Sequence, residues 1–279
     1  MNNISRLQQR ILPVFLNVFF VFVLFYLSGC AGTPEVAAPT DQPQNRQRGE
    51  AKITYLGWSG WAVQTKNHFL IFDCITGERY FKLKQIGDSK VIVFISHGHK
   101  DHYASSVYNW KKQIKNIHYV SGNSDTGAAD TLFMGGRQEI QIDDVKITSI
   151  RSTDGGVGFL VAVDDLYIFH AGDHAFWGGS FADYKWEIDY LAKKMSDIDF
   201  MFMPIATGNG EMRNYIYDGV VYAIEKLRPN AMFPMHGSEH LLQTFKEKYE
   251  KDGKVRGEKS IYSPKKNGEV FSYRDGRIF

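Results

Sequence analysis

Three histidines and an aspartate fall within six consecutive positions, His97-Gly98-His99-Lys100-Asp101-His102, in a chain with nine histidines among 279 residues. Imidazole nitrogen and carboxylate oxygen are the ligands that suit zinc, iron or manganese. His97 and His99, two apart, can face the same way and grip one ion. Asp101 and His102 can reach a second. A metal at such a site lowers the pKa of a bound water from about 16 to about 7 and polarises a carbonyl or phosphoryl oxygen. The expected chemistry is therefore hydrolysis. Asp101 is the candidate catalytic group, orienting that water or taking its proton.

A ligand cluster needs rigid elements to deliver it. The hexad follows directly on Val91-Ile92-Val93-Phe94-Ile95, an apolar run that reads as a buried strand bounded by Ser96 and Gly98. Two more runs end in groups of the same kind. Phe169-His170-Ala171-Gly172-Asp173 ends in a carboxylate that could bridge two ions, one oxygen to each. Met235-His236-Gly237 offers a further imidazole. Asp73, after Phe69-Leu70-Ile71-Phe72, could accept a hydrogen bond from the far nitrogen of a liganding histidine. His68 reads as a strand cap, His118 as structural and His170 as packing at a strand end. His240, four residues past His236 on a helix, could approach the site.

Strands are expected at 52–56, 61–65, 68–72, 91–95, 117–120, 138–142, 145–150, 157–163, 166–170, 200–204, 231–235 and 270–273. Helices are expected at 104–114, 184–194, 215–227 and 239–249. The first half is then mostly antiparallel β with one helix, and the second alternates strand and helix. That mixture implies sheets with helices packed outside.

The first residues do not belong to this fold. Arg6 and Arg10 precede the apolar run Ile11 to Leu27, which closes on Leu27-Ser28-Gly29-Cys30. This reads as a secretory signal over 1–29, too short for a full membrane span. Its ending resembles a bacterial lipoprotein signal, which implies lipidation of Cys30. Residues 30–50, rich in Pro, Gln and Asn, read as a flexible tether. Residues 51–279 have the length of one domain. Arg6 and Arg10 are two of 33 basic residues, and no acidic residue precedes position 31, so the remainder carries 31 basic against 31 acidic. That balance gives no electrostatic case for nucleic acid. Cys74, the only other cysteine, has no disulfide partner once Cys30 is lipidated and reads as a small buried residue.

Taken in order, Thr54-Tyr55-Leu56-Gly57, Phe72-Asp73, the hexad, His170-Ala171-Gly172-Asp173 and Pro234-Met235-His236-Gly237 resemble the metallo-β-lactamase superfamily over essentially all of 51–279. The resemblance implies an α+β fold, a four-layer αβ/βα sandwich with the metals at one edge. It implies one or two divalent ions, zinc foremost, with manganese or iron as alternatives. It places His97 and His99 on metal 1, Asp101, His102 and His236 on metal 2, and Asp173 between them. One departure is serious. The metal-1 histidine expected between the hexad and Asp173 is missing, and Asp154 or His174 could take its place. A second is Trp58, where related hydrolases often have His, implying a more apolar pocket wall. Asp173 stands where a true β-lactamase of the main group has Cys, so an ester, lactone or phosphodiester is the expected bond, and a small molecule or lipid the expected substrate. The aromatic segment 175–181 could line its pocket. The lipobox implies anchoring in the bacterial cell envelope, at the outer membrane where two membranes exist, because Ala31 follows Cys30. The alternative is a degenerate envelope protein that binds metal or ligand without turnover.

Overall fold

Each of the apolar runs becomes a strand because its side chains find apolar partners on both faces. The computed structural model describes residues 46–86, 88–124, 130–253 and 260–279. The signal segment, Cys30 and the tether as far as residue 45 lie outside the described residues.

The first sheet contains β1 (Ala51–Gly57), β2 (Gly60–Gln64), β3 (His68–Phe72), β4 (Lys90–Ile95), β5 (Ile117–Ser121) and β6 (Thr131–Phe133), closed at its other edge by β14 (Val270–Arg274) and β15 (Arg277–Ile278). The second contains β7 (Glu139–Ile142), β8 (Val145–Arg151), β9 (Val157–Val163), β10 (Leu166–His170), β11 (Phe200–Pro204), β12 (Ala231–Met235) and β13 (Ser260–Ile261). The spatial orders are β15-β14-β1-β2-β3-β4-β5-β6 and β13-β12-β11-β10-β9-β8-β7. The helices are α1 (Phe181–Lys194), α2 (Asn214–Leu227) and α3 (Glu239–Lys251). Ser180 caps α1 and Ser238 caps α3 through their side-chain oxygens.

The alternation along β3 and β4 shows how the layers form. Leu70, Phe72, Ile92 and Phe94 face the core shared with the second sheet. Phe69, Ile71, Val91, Val93 and Ile95 face a smaller core with Leu83, Ile86, Val107 and Trp110. Strands buried on both faces read as continuous apolar runs rather than alternating ones.

Two expectations need correction. The segment expected as a helix at 104–114 is a 3₁₀ helix over Ser105–Lys112. Its buried residues, Val107 and Trp110, are three apart, the repeat of a 3₁₀ turn, and Ala104 offers no capping side chain. The first half is also less antiparallel than expected. β3, β4, β5 and β6 run parallel to one another, because the connections at 73–89 and 96–116 are long enough to cross back over the sheet.

Parallelism puts the chemistry at one pole. β1, β3, β4, β10 and β12 all end there. The chain enters at the opposite pole, where Asp199, immediately before β11, accepts from Arg46, Arg48, the Tyr273 hydroxyl and the Tyr167 N–H at 2.6–2.7 Å. Residues 46–50, expected within the tether, thus lie on the domain, because Asp199 is fully buried and needs these partners.

Candidate metal centre

Three residues that follow strand ends around the site, one of them an expected ligand, hold left-handed backbone. Asp73 follows β3 with φ 43°, His236 follows β12 with φ 63°, and Trp58 follows β1 with φ 55°. Left-handed backbone is uncommon outside glycine, and for a bulky residue such as Trp it is an outlier. Each instance costs on the order of 1–3 kcal/mol, and such strain concentrates at functional sites.

Ser96, the first residue past β4, organises the interior of the site. Its N–H donates to Asp73 Oδ1 at 2.7 Å and its hydroxyl to Asp73 Oδ2 at 2.7 Å. Its Oγ lies 3.0 Å from His97 Nδ1. Glycine is required around it. A Cβ on Gly156 (φ +64°) would fall on the Ser96 carbonyl oxygen, and one on Gly172 (φ +55°) would lie 2.8 Å from Ser96 Cβ.

This network fixes the imidazole tautomers. His102 Nδ1 donates to Asp73 Oδ2 at 2.7 Å, the role expected of Asp73. The Ser96 hydroxyl is spent on Asp73, so it accepts from His97 Nδ1. His236 Nδ1 donates to the Ala206 carbonyl at 2.8 Å. All three rings therefore turn an Nε2 lone pair toward the same place, where Asp173 and Asp101 point their oxygens. His97 Nε2 is 3.3 Å from Asp173 Oδ2, and His102 Nε2 is 3.0 Å from Asp173 Oδ1. His236 Nε2 is 3.3 Å from Asp101 Oδ2 and 3.5 Å from Asp173 Oδ1. Acceptors face acceptors. Among the described residues, donors reach the cluster from its rim, Trp58 Nε1 to Asp101 Oδ2 at 2.8 Å and His99 Nδ1 to His97 Nε2 at 2.9 Å.

A cation is what such a set lacks. His102 Nε2 and Asp173 Oδ1 are buried and without a hydrogen-bond partner, because their approach is out of line for one. Two triads could each hold an ion, His97–His102–Asp173 and Asp101–His102–His236. The donor set, imidazole with carboxylate, suits a divalent transition metal. In the metal-free protein a proton is the substitute. Burial by itself would lower the His102 pKa, but Asp73 and Asp173 lift it to about 10. His236 is also raised, against burial, by Asp101 and Asp173. Asp101 is held far below the carboxylate range, first by His236 and then by His102 and Trp58. Burial would raise Asp173 and Asp73, yet their histidine partners hold both low.

Of the six expected ligands, five converge. His99 stands exposed at the rim, its ring edge-on to His97 at 4.5 Å, and joins neither triad. Neither substitute for the missing histidine enters the cluster. Asp154 is exposed on the turn between β8 and β9, where its N–H bonds Ser152. His174 is fully buried, stacked on Tyr184 at 4.7 Å, and its Nε2 donates to the Tyr184 carbonyl at 3.2 Å. Burial holds its pKa down at about 3. His240 is exposed on α3. His170 Nε2 donates to the Ser59 carbonyl at 2.9 Å, and its ring stacks on Phe72.

Two participants escaped the sequence reading. Ser96 bounds β4 as expected and is also a hub. Trp58 is not simply an apolar wall, since its indole N–H holds Asp101 while its ring lies 5.4 Å from that of His236. The signal for Trp58 was its place one residue past Leu56-Gly57, at the tip of β1.

Residues 52–236 match the family model described as the β-lactamase superfamily domain. The chain belongs to that superfamily. Among curated relatives, the UPF0173 metal-dependent hydrolase YtkL of Bacillus subtilis (strain 168) is 28% identical over 205 residues, covering 66% of this chain and 85% of the relative. A UPF0173 metal-dependent hydrolase of Methanosarcina barkeri is 26% identical over 204 residues, covering 67% and 83%. Among solved structures, the metallo hydrolase Igni18 of Ignicoccus hospitalis shares the fold with a TM-score of 0.59 at 18% identity, covering 81% of this chain and 99% of its own. The metallo-β-lactamase fold protein YhfI of Bacillus subtilis gives 0.55 at 14% identity, covering 81% and 100%. The fold of this superfamily member is accordingly the α+β sandwich read from its motifs, with 3₁₀ segments in place of α-helices over the outer face of the first sheet.

Proposed function

We propose that this superfamily member, a metal-dependent hydrolase, cleaves an ester, lactone or phosphodiester bond in a small molecule or lipid-derived substrate. The observation that carries the reading is the convergence of three Nε2 lone pairs and two carboxylates with no donor among them. A divalent metal held there, with zinc the best match to the ligand types, supplies an activated water and polarises the attacked oxygen. The chain's own groups do the rest. Asp73, Ser96 and the Ala206 carbonyl hold the three rings in their liganding tautomers. Asp101, still partly exposed, is placed to orient the water or take its proton, and Trp58 keeps its carboxylate turned inward. Buried Asp173 reaches both triads.

The test is metal content and turnover of the full-length chain purified without chelator. One or two zinc, manganese or iron ions per chain are expected, with hydrolysis of a generic lactone or bis(p-nitrophenyl) phosphate. Asp173→Asn should abolish both. Tight metal binding with no turnover of any ester, lactone or phosphodiester would leave the non-catalytic reading in its place.

The same proposal places the enzyme in the bacterial cell envelope, tethered through lipidated Cys30. The support is the Leu27-Ser28-Gly29-Cys30 ending and the entry of the chain at the pole opposite the metal centre. Labelled fatty acid should be incorporated by the wild type and not by Cys30→Ala; equal incorporation would remove the anchor.

A further inference from the structure

A groove of about 430 Å³ opens beside the metal centre, between the end of β8 and the start of α1. Its volume lies in the range of small-molecule sites. Two residues join it to the centre. Trp177 Nε1 donates to the Asp173 carbonyl at 3.0 Å, with its ring 6.1 Å from that of His236. Thr153 Oγ1 donates to the Ala175 carbonyl at 2.6 Å and lies 3.5 Å from that of Asp173. The groove is thus an extension of the reaction site rather than a separate hollow. Its floor and rim are aromatic. Phe176, Trp177 and Trp186, the last 64% exposed, line it.

Four charged residues line it, two of each sign, and only one of the two arginines is paired. Arg137 is bound to Glu187 at 2.9 and 3.3 Å and lies over the Trp186 ring at 4.7 Å. That pair is already satisfied. Arg151, the last residue of β8, is exposed, and its guanidinium forms no ion pair among the described residues. Asp183, in the first turn of α1, is the opposing charge on the other wall. An anion is therefore repelled from the α1 wall and received on the β8 wall. A guanidinium presents a planar fork that matches carboxylate and phosphate.

We infer that the substrate's non-reacting arm lies in this groove, and that the arm is apolar or aromatic and ends in an anionic group held by Arg151. The inference rests on the hydrolase reading for the word substrate. The groove itself can be tested without turnover. The probe is 4-phenylbutyrate against its neutral amide, titrated calorimetrically into the full-length chain as purified, with Arg151→Gln separating binding in the groove from binding at the metal centre. The acid should bind about two- to fivefold more tightly than the amide, the size expected for one exposed charge pair. Arg151→Gln should erase that preference. Asp183→Asn should strengthen binding of the acid, because it removes the opposing charge. Trp186→Ala should weaken acid and amide together. Equal binding of acid and amide by the wild type, no binding of either, or an undiminished preference in Arg151→Gln would overturn the inference. Ester pairs differing only in a terminal carboxylate then read the same residue in turnover. The acid partner should have the lower KM at similar kcat. Absence of turnover with intact calorimetric selectivity would count against the hydrolase reading and not against the groove.

Discussion

Each pole of the domain holds a buried histidine bonded to an aspartate, Asp73 buried at one and Asp164 half-buried at the other, and β3 connects them. His68 opens that strand and Asp73 follows its end. At the entry pole, His68 Nδ1 meets Asp164 Oδ2 at 2.9 Å. Asp164 also receives the Thr65 hydroxyl and both the backbone N–H and side-chain amide of Asn67. These donors offset burial and hold its pKa at about 2. The far nitrogen of His68 is buried without a hydrogen-bond partner, as that of His102 is, but it lies 3.2 Å from Asp144, a carboxylate that Lys90 neutralises at 2.9 Å. At the other pole, His102 bonds Asp73 in the same way, but its Nε2 points among further acceptors. At the entry pole the carboxylates have donors of their own, Thr65 and Asn67 on Asp164 and Lys90 on Asp144. The other pole is left one positive charge short. His68, Asp144 and Asp164 also come within ligand distance of one another. Proximity of ligand types therefore does not separate a structural pair from a metal site; the count of donors does.

The comparison is broken most directly by the same substitution at both poles. Asp73→Asn removes the acceptor that orients His102, and changes of this kind typically cost 10- to 100-fold in metal affinity. The measurement is zinc affinity by competition with a chromogenic chelator. Asp164→Asn should leave that affinity unchanged and instead cost about 1–3 kcal/mol of stability, since buried donors lose their partner. Denaturant unfolding of the metal-free protein reads that loss. A metal-affinity loss in Asp164→Asn matching that in Asp73→Asn would erase the distinction between the poles.

A second test uses protons. His102 has its folded pKa raised from 6.5 to about 10. Its contribution to stability is complete below about pH 6.5 and is lost as pH rises toward 10. Burial lowers the pKa of His170 and His174, which remain neutral in the fold. Their contributions are complete above about pH 6.5 and fall as the pH drops below it, and those of the low-pKa carboxylates Asp101, Asp164 and Asp173 are lost further into acid. The Tm of the metal-free protein should peak near pH 6.5 and decline on the alkaline side. With a divalent metal bound, the cation replaces the proton and the decline between pH 7 and 9 should disappear. Identical alkaline slopes with and without metal would show that the ion does not occupy the place of the His102 proton.

Most of the centre was legible because ligand chemistry is written in residue type and position. His97, His102, Asp173 and His236 each follow an apolar run, and an apolar run buried on both faces forms a strand whatever its neighbours. What was not legible depended on direction and register. A continuous apolar strand carries no sign of whether its neighbour runs parallel, and only the length of 73–89 hints at a crossover. Val107 and Trp110 fit a 3.0-residue repeat as well as a 3.6-residue one, so the 3₁₀ segment over 105–112 was read as α-helix. Ser96 is a residue type found at every strand end, and its role exists only once Asp73 and His102 stand on either side of it. No side chain enters the cluster from position 156, because the β8–β9 connection approaches Ser96 and His97 so closely there that an added Cβ would fall on the Ser96 carbonyl oxygen.

Trp58 gives the finest division between positioning and packing. It holds a left-handed backbone at φ 55°, donates to Asp101 at 2.8 Å, and its carbonyl accepts from the His236 N–H at 3.1 Å. Trp58→Phe keeps the backbone role and much of the ring against His236 but deletes the indole donor. A hydrogen bond to a charged, partly exposed carboxylate is worth on the order of 1 kcal/mol, so about a fivefold fall in kcat is expected with KM little changed. Metal content should stay at the wild-type level, because His102 and His236 keep their own partners. Trp58→His restores a ring N–H donor and should recover part of the loss. If Trp58→Phe instead empties the site of metal while the protein stays folded, Trp58 acts by shaping the triad of Asp101, His102 and His236 rather than by aiming the Asp101 carboxylate, and the rim belongs with the ligand scaffold.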